Sequence, residues 1–220
     1  MTTKEIVLGV TGSIGAYKAG DIVRRLRELG CVVTCVMTKE AREFVTPLTL
    51  QALSERKTYP ELFSLEDPHI LHTELADRAS LVLIAPATAN VIGKLANGLA
   101  DDLLSCVVLA TKAPVLLAPA MNVQMYHHPA VQENLKRLRR MGYHVVGPTV
   151  GGLACGYEAI GHLAEVEDIV RVAVQLARPP SAGAGPANAA GERPAQSSKP
   201  AAAATRRTRR PARRATLRRR

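Results

Sequence analysis

Five short apolar runs, most of them followed by a segment of helical spacing, constrain this chain more than any other feature. Glu5 to Val10 is apolar and β-rich, and after Gly12-Ser13 the apolar positions Ile14, Tyr17, Ile22, Leu26 and Leu29 recur at helical spacing up to Gly30. Cys31 to Met37, Leu81 to Ala85, Val115 to Ala118 and Tyr143 to Val146 are further apolar runs. Between and after them the pattern predicts helices over Thr88 to Asn97, Asp101 to Thr111, Pro129 to Arg140 and Glu165 to Arg178. Thr38 stands where an N-cap belongs, ahead of Lys39 to Phe44. Pro47 to Leu53 reads as a further short helix and Glu55 to Pro68 as a surface loop. Near-continuous apolar strands require burial on both faces, which a helix-covered parallel sheet supplies. The expected fold class is α/β, a Rossmann-like (flavodoxin-like) doubly wound parallel sheet with helices on both faces.

The 220 residues carry a formal charge of +10, and its location decides its meaning. From Pro179 onward there are 11 basic residues against the single acid Glu192, which leaves 18 basic and 18 acidic residues before it. Residues 1–178 are formally neutral, so the overall charge is no sign of a basic nucleic-acid-binding domain. We expect one domain over 1–178 and a disordered Ala/Pro/Arg-rich basic tail over 179–220. That tail has one Leu, no aromatic and no β-branched apolar residue to offset the entropy of ordering. Weak, salt-sensitive binding of a polyanion is the one partner its arginines suggest.

No apolar run approaches the roughly 18 to 20 residues of a membrane span. Met1-Thr2-Thr3-Lys4-Glu5 opens into a strand without a signal-peptide core, so a cytoplasmic location is expected. Cys31, Cys35, Cys106 and Cys155 are scattered, with no C-x-x-C pair, and read as reduced thiols; no metal site is expected.

In such sheets ligands bind outside the carboxyl ends of the strands. Four loops lie there: Thr11 to Gly15, Thr38 to Lys39, Pro86 to Asn90 and Pro119 to Met125. Gly12-Ser13-Ile14-Gly15 offers backbone N–H groups, a hydroxyl and a helix start, which together hold a phosphate, although the same turn also serves as an ordinary cap. It is not G-x-G-x-x-G. Where a dinucleotide enzyme places an acid for the ribose, Thr38 stands instead, with Glu40 close by. A hydroxyl suits a phosphate better than a ribose and tilts the reading toward a mononucleotide such as FMN.

Several blocks, in order, resemble a known family. They are Gly9-Val10-Thr11-Gly12-Ser13-Ile14-Gly15, Ala41-Arg42-Glu43-Phe44-Val45-Thr46-Pro47, His72-Thr73-Glu74-Leu75-Ala76, Ala85-Pro86-Ala87-Thr88-Ala89-Asn90, Gly98-Leu99-Ala100-Asp101-Asp102-Leu103-Leu104, Pro119-Ala120-Met121-Asn122-Val123-Gln124-Met125 and Leu153-Ala154-Cys155-Gly156. The family is that of the homo-oligomeric flavin-containing cysteine decarboxylases, and the resemblance is strongest to the bacterial phosphopantothenoylcysteine decarboxylase domain of coenzyme A synthesis. It implies an FMN enzyme that converts 4′-phosphopantothenoylcysteine to 4′-phosphopantetheine. The implied route oxidises the thiol carbon to a thioaldehyde, releases carbon dioxide and re-reduces the enethiol, with the flavin as electron sink.

By the same resemblance His72 is the catalytic histidine, chosen over His69 by its H-x-E-L-A context, and Cys155 is the proton donor on a flap. Asn122 holds the substrate carboxylate, with Met125 beside it. An amide can bind a carboxylate and still let it leave as neutral carbon dioxide. Local readings are blander: a capping histidine, a turn asparagine and a buried thiol. FMN contacts fall on Gly12, Ser13, Ile14, Thr38, Thr88, Ala89, Asn90, Val91 and Ala120, with Phe44 a ring neighbour across a subunit interface.

The family assembles as trimers, often as dodecamers, and bacterial relatives commonly carry a fused phosphopantothenoylcysteine synthetase. Nothing here corresponds to that synthetase, so a separate one is the expected partner. Three departures stand out: Tyr126 where the motif ends in Trp, Ala159 where Gly is usual and His162 where Arg is usual. With the missing synthetase they keep open a non-catalytic flavin-binding regulatory paralogue. A second alternative, a peptidyl-cysteine oxidative decarboxylase, shares the histidine and the P-x-M-N motif, and Cys155 argues against it.

Overall fold

Strands β1 (Glu5–Val10), β2 (Val32–Met37), β3 (Leu81–Ala87), β4 (Val115–Pro119) and β5 (His144–Val145) form one parallel sheet in the order β2-β1-β3-β4-β5. This computed structural model describes residues 4–62, 71–152 and 158–177. The order is that of a flavodoxin-like doubly wound sheet, whose winding direction reverses between β1 and β3. All seven residues of β3 are buried. Its unbroken apolar sequence is thus explained by helices on both of its faces.

Eight α-helices occur among the described residues: α1 (Ala19–Glu28), α2 (Pro47–Ser54), α3 (Leu71–Arg78), α4 (Ala89–Ala96), α5 (Leu103–Ala110), α6 (Val123–His127), α7 (Pro129–Arg140) and α8 (Val166–Leu176). On one face, Ile6, Leu8, Val33 and Leu83 pack with Ile22 and Leu26 of α1 and Ile169 and Ala173 of α8. On the other, Val7, Val82, Ile84 and Leu117 pack with Leu75 of α3, Ile92 of α4, Leu104 of α5 and Leu135 of α7. Each fully buried Leu or Ile contributes roughly 1.5–3 kcal/mol, so the sheet centre is the most stable part of the fold. Gly9 of β1 belongs to that packing: a β-carbon there would lie 2.5 Å from Leu104 Cδ1.

Several expectations need correction. Ile14–Lys18 is a 3-10 helix that precedes α1, and its tighter winding turns Ile14 and Tyr17 out of the α1 stripe; they are 56% and 59% exposed, and Leu29 is 59% exposed. Thr38 caps nothing with its side chain. A 3-10 turn over Glu40–Glu43 follows Lys39, and Thr38 contributes only its carbonyl, which accepts the Ala41 N–H at 3.1 Å. The expected loop after α2 partly continues the sheet edge, since Tyr59 O accepts from Met37 N and Tyr59 N donates to Cys35 O, both at 2.9 Å. Helix α6 and an antiparallel hairpin of β6 (Thr149–Gly152) and β7 (Glu158–His162) were not foreseen. The expected tail, 179–220, and His69 lie outside the described residues.

Candidate functional site

The carboxyl ends of β1, β2, β3 and β4 enclose a cavity of about 280 Å³. Its floor is tied together by one hydroxyl. Thr11 Oγ1 donates to Pro86 O at 2.7 Å and accepts the Thr88 N–H at 3.1 Å, which joins the end of β1 to the start of α4. Ser13 caps the 3-10 helix by accepting the Gly15 N–H at 3.4 Å. Gly12 is the closest approach in this loop, because a β-carbon on it would collide with Glu40 Cβ. Thr88 caps α4, accepting the Val91 N–H at 3.4 Å.

The fourth wall comes from the loop after β4. Ala120 N donates to Ala87 O at 3.2 Å and Met121 N donates to Gly161 O at 3.0 Å, so the β6–β7 hairpin is docked on this loop. Gly161, at φ 134°, sits so close to Met121 O that no side chain fits there. Asn122 caps α6, its Oδ1 accepting the Gln124 N–H at 2.8 Å.

The structure brings Gly12, Ser13, Thr38, Thr88, Ala89, Asn90, Val91, Ala120 and Met125 together around this single cavity. Asn122 adjoins it through the neighbouring residue Met121. Ile14 and Phe44 are exposed, Phe44 at 44%, and do not line it. His72 lies half-buried in α3 and is not part of the cavity wall. Cys155 lies outside the described residues. Thr11 and Met121, which also line the cavity, lie in loops expected to build the site, and Glu40 stands close to Thr38 in the sequence; nothing in the sequence reading anticipated Lys94 and Asp102 as lining residues. A usable signal existed for Lys94, which follows Asn90 by four residues and shares its helix face.

Thr38 Oγ1 is buried with no hydrogen-bond partner. A buried hydroxyl is nearly always bonded, so an orphan on a residue that lines the cavity points to an acceptor or donor brought by a ligand. The donor set fits a phosphorylated, ring-bearing group: glycine backbone and hydroxyls at one end, Met121 and Met125 among the apolar walls at the other. Among the described residues no cluster of His, Cys, Asp and Glu could hold a metal ion, and no helix is long and apolar enough to cross a membrane.

The described thiols offer no nucleophile. Burial pushes Cys35 up to about 12 and raises Cys31, while burial, with Asp102 and Asp101 nearby, raises Cys106.

A family profile described as Flavoprotein matches residues 1–178. The chain belongs to the flavoprotein family. Within that family it is 48% identical over 174 residues to the coenzyme A biosynthesis bifunctional protein of Bacillus subtilis (strain 168), a match covering 79% of this chain and 43% of that one. The chain thus spans less than half the length of such bifunctional relatives. It is 42% identical over 172 residues to a probable phosphopantothenoylcysteine decarboxylase of Streptococcus mutans, covering 77% of this flavoprotein and 96% of that protein.

Two solved structures superimpose on the flavoprotein fold. One is a PPC decarboxylase cysteine-to-serine mutant complexed with pantothenoylaminoethenethiol, at TM-score 0.70, 31% identity, 79% of this chain and 97% of that one. The other is the FMN-dependent cysteine decarboxylase SpaF, at TM-score 0.69, 31% identity, 80% of this chain and 99% of that one.

Proposed function

We propose that this flavoprotein binds FMN and decarboxylates 4′-phosphopantothenoylcysteine to 4′-phosphopantetheine in coenzyme A biosynthesis. The observation that carries the FMN reading is the unpartnered Thr38 hydroxyl in a cavity that also presents Gly12 and Ser13. The choice of reaction is supported by the near full-length similarity to a probable phosphopantothenoylcysteine decarboxylase.

In this reading Gly12 and Ser13 hold the FMN phosphate through backbone N–H groups and a hydroxyl, and Thr38 adds a second hydroxyl. Thr88, Ala89, Asn90, Val91 and Ala120 border the rest of the cofactor. Bound FMN supplies the electron sink that an unactivated carboxylate lacks. Asn122 orients the substrate carboxylate by neutral hydrogen bonds, Met125 covers it, His72 takes the thiol proton, and Cys155 returns a proton to the product carbon.

The exposed apolar side chains Ile14, Tyr17, Phe44 and Leu48 favour a homotrimer or dodecamer, in which a neighbouring copy covers the cavity rim and brings a further His72 or Phe44 to it. The catalytic domain is 1–178, with 179–220 an appended basic tail that binds polyanions weakly, and a phosphopantothenoylcysteine synthetase activity supplies the substrate. A cytoplasmic location accords with the free thiols of Cys31, Cys35 and Cys106. The test is to incubate the full chain with FMN and 4′-phosphopantothenoylcysteine. A yellow protein that releases carbon dioxide supports the proposal, and a protein that takes up no FMN contradicts it.

A further inference from the structure

Charged side chains on a cofactor cavity matter in proportion to their fixity, and one here is unusually fixed. Lys94 Nζ lies 2.7 Å from Asp101 Oδ1 and 2.8 Å from Asp102 Oδ2, and its side chain is 19% exposed. Asp102 is in turn locked as the N-cap of α5: its Oδ1 accepts the Ser105 N–H and hydroxyl, both at 2.8 Å. Lys94 and Asp102 both line the cavity, with Glu40 the other charged lining residue among those described. Burial works against both charges, and their mutual bonding outweighs it, leaving Lys94 above its ordinary pKa and Asp102 below. Both are therefore ionised across neutral pH, and each is held by more than one polar contact.

The Lys94, Asp101 and Asp102 group sums to one net negative charge, so it does not suit a phosphate; the phosphate-holding groups are those of the Thr11 to Ser13 loop. Lys94 instead shares a helix face with Asn90, one turn further along α4. A cation near a flavin ring favours its two-electron-reduced, anionic form, and an adjacent carboxylate opposes that effect.

We propose that Lys94 is a positioning residue that sets the reduction potential of the bound flavin, with Asp102 as its counterweight. The inference rests on the FMN reading above. Removing Lys94 leaves two uncompensated carboxylates beside the cavity and disfavours the reduced flavin. Neutralising Asp102 leaves the lysine less balanced and favours it. The two substitutions therefore move the potential in opposite directions.

The experiment is a dye-coupled reductive titration of FMN-loaded full-length protein and its Lys94→Met and Asp102→Asn variants, with thermal melts alongside. Asn is as good an N-cap as Asp, so Asp102→Asn changes the charge and keeps the cap. For Lys94→Met, the ratio of the dissociation constants for reduced over oxidised FMN should rise about tenfold, a fall of about 30 mV in the two-electron potential. Asp102→Asn should shift it the other way, and it carries the test alone if Lys94→Met does not fold. Lower melting temperatures with an unchanged potential would mean a helix clamp only and would overturn the inference. A wild-type protein that binds no flavin would instead remove the FMN reading itself.

Discussion

Thr11 and Thr88 are joined through a single buried hydroxyl: Thr11 Oγ1 accepts the Thr88 N–H at 3.1 Å while donating to Pro86 O at 2.7 Å. Thr11 is 1% exposed, so losing these bonds leaves buried polar groups without their partner. Thr11→Val keeps the shape and removes both bonds. Chemical denaturation should show a loss of about 1–3 kcal/mol, with Thr11→Ser close to wild type. Equal stability of the valine variant would mean that this tie does not hold the loops.

Thr38 is the opposite case, since its buried hydroxyl has no protein partner. Thr38→Val should leave the stability of the flavin-free protein unchanged or slightly raised, because an unpaired polar group is being replaced by an apolar one. Its affinity for FMN, followed by flavin fluorescence quenching, should fall about tenfold. A destabilised protein with unaltered FMN affinity would contradict the assignment.

Asn122 caps α6, and in the proposed reading it also binds the substrate carboxylate, so the two roles can be separated by substitution. Asp accepts the Gln124 N–H as well as Asn does, so Asn122→Asp retains the cap of α6. A carboxylate facing the substrate carboxylate should raise KM more than tenfold with little change in melting temperature. A KM equal to wild type would remove Asn122 from the carboxylate site.

Asp102 also predicts a pH dependence. Burial alone raises its pKa, but hydrogen bonds from Lys94 and Ser105 outweigh this and hold it below the ordinary carboxylate value. A group with a lowered folded pKa stabilises fully above its unfolded pKa, about 3.9, and that contribution is lost as pH falls through the folded value. Urea midpoints below about pH 4 should therefore drop more steeply for wild type than for Asp102→Asn. Parallel acid limbs would contradict the coupling.

The sheet was legible because β1, β3 and β4 are apolar runs without alternation, a pattern that only two-sided burial satisfies. The four site loops were legible because α/β sheets bind at the strand ends, and nine of the fourteen residues expected at the site share one cavity wall. The start of the first helix was misread because Ile14 and Tyr17 keep helical spacing while sitting in a 3-10 turn, which faces them outward. The hairpin was missed because Thr149-Val150-Gly151-Gly152 has neither alternation nor strand-forming residues enough to signal β6. Lys94 and Asp102 escaped notice as site residues because an isolated lysine and a capping acid look like ordinary solvated charges until α4 and α5 are packed side by side.

The most direct measurement is the identity of the product formed when FMN-loaded full-length protein meets 4′-phosphopantothenoylcysteine without added oxidant. Carbon dioxide is expected in one-to-one amount with 4′-phosphopantetheine, a saturated thiol, because oxidation and re-reduction cancel. Cys155→Ser should instead accumulate the enethiol. Release of an enethiol by the wild-type protein, or no carbon dioxide from a fully flavin-loaded chain, would contradict the account.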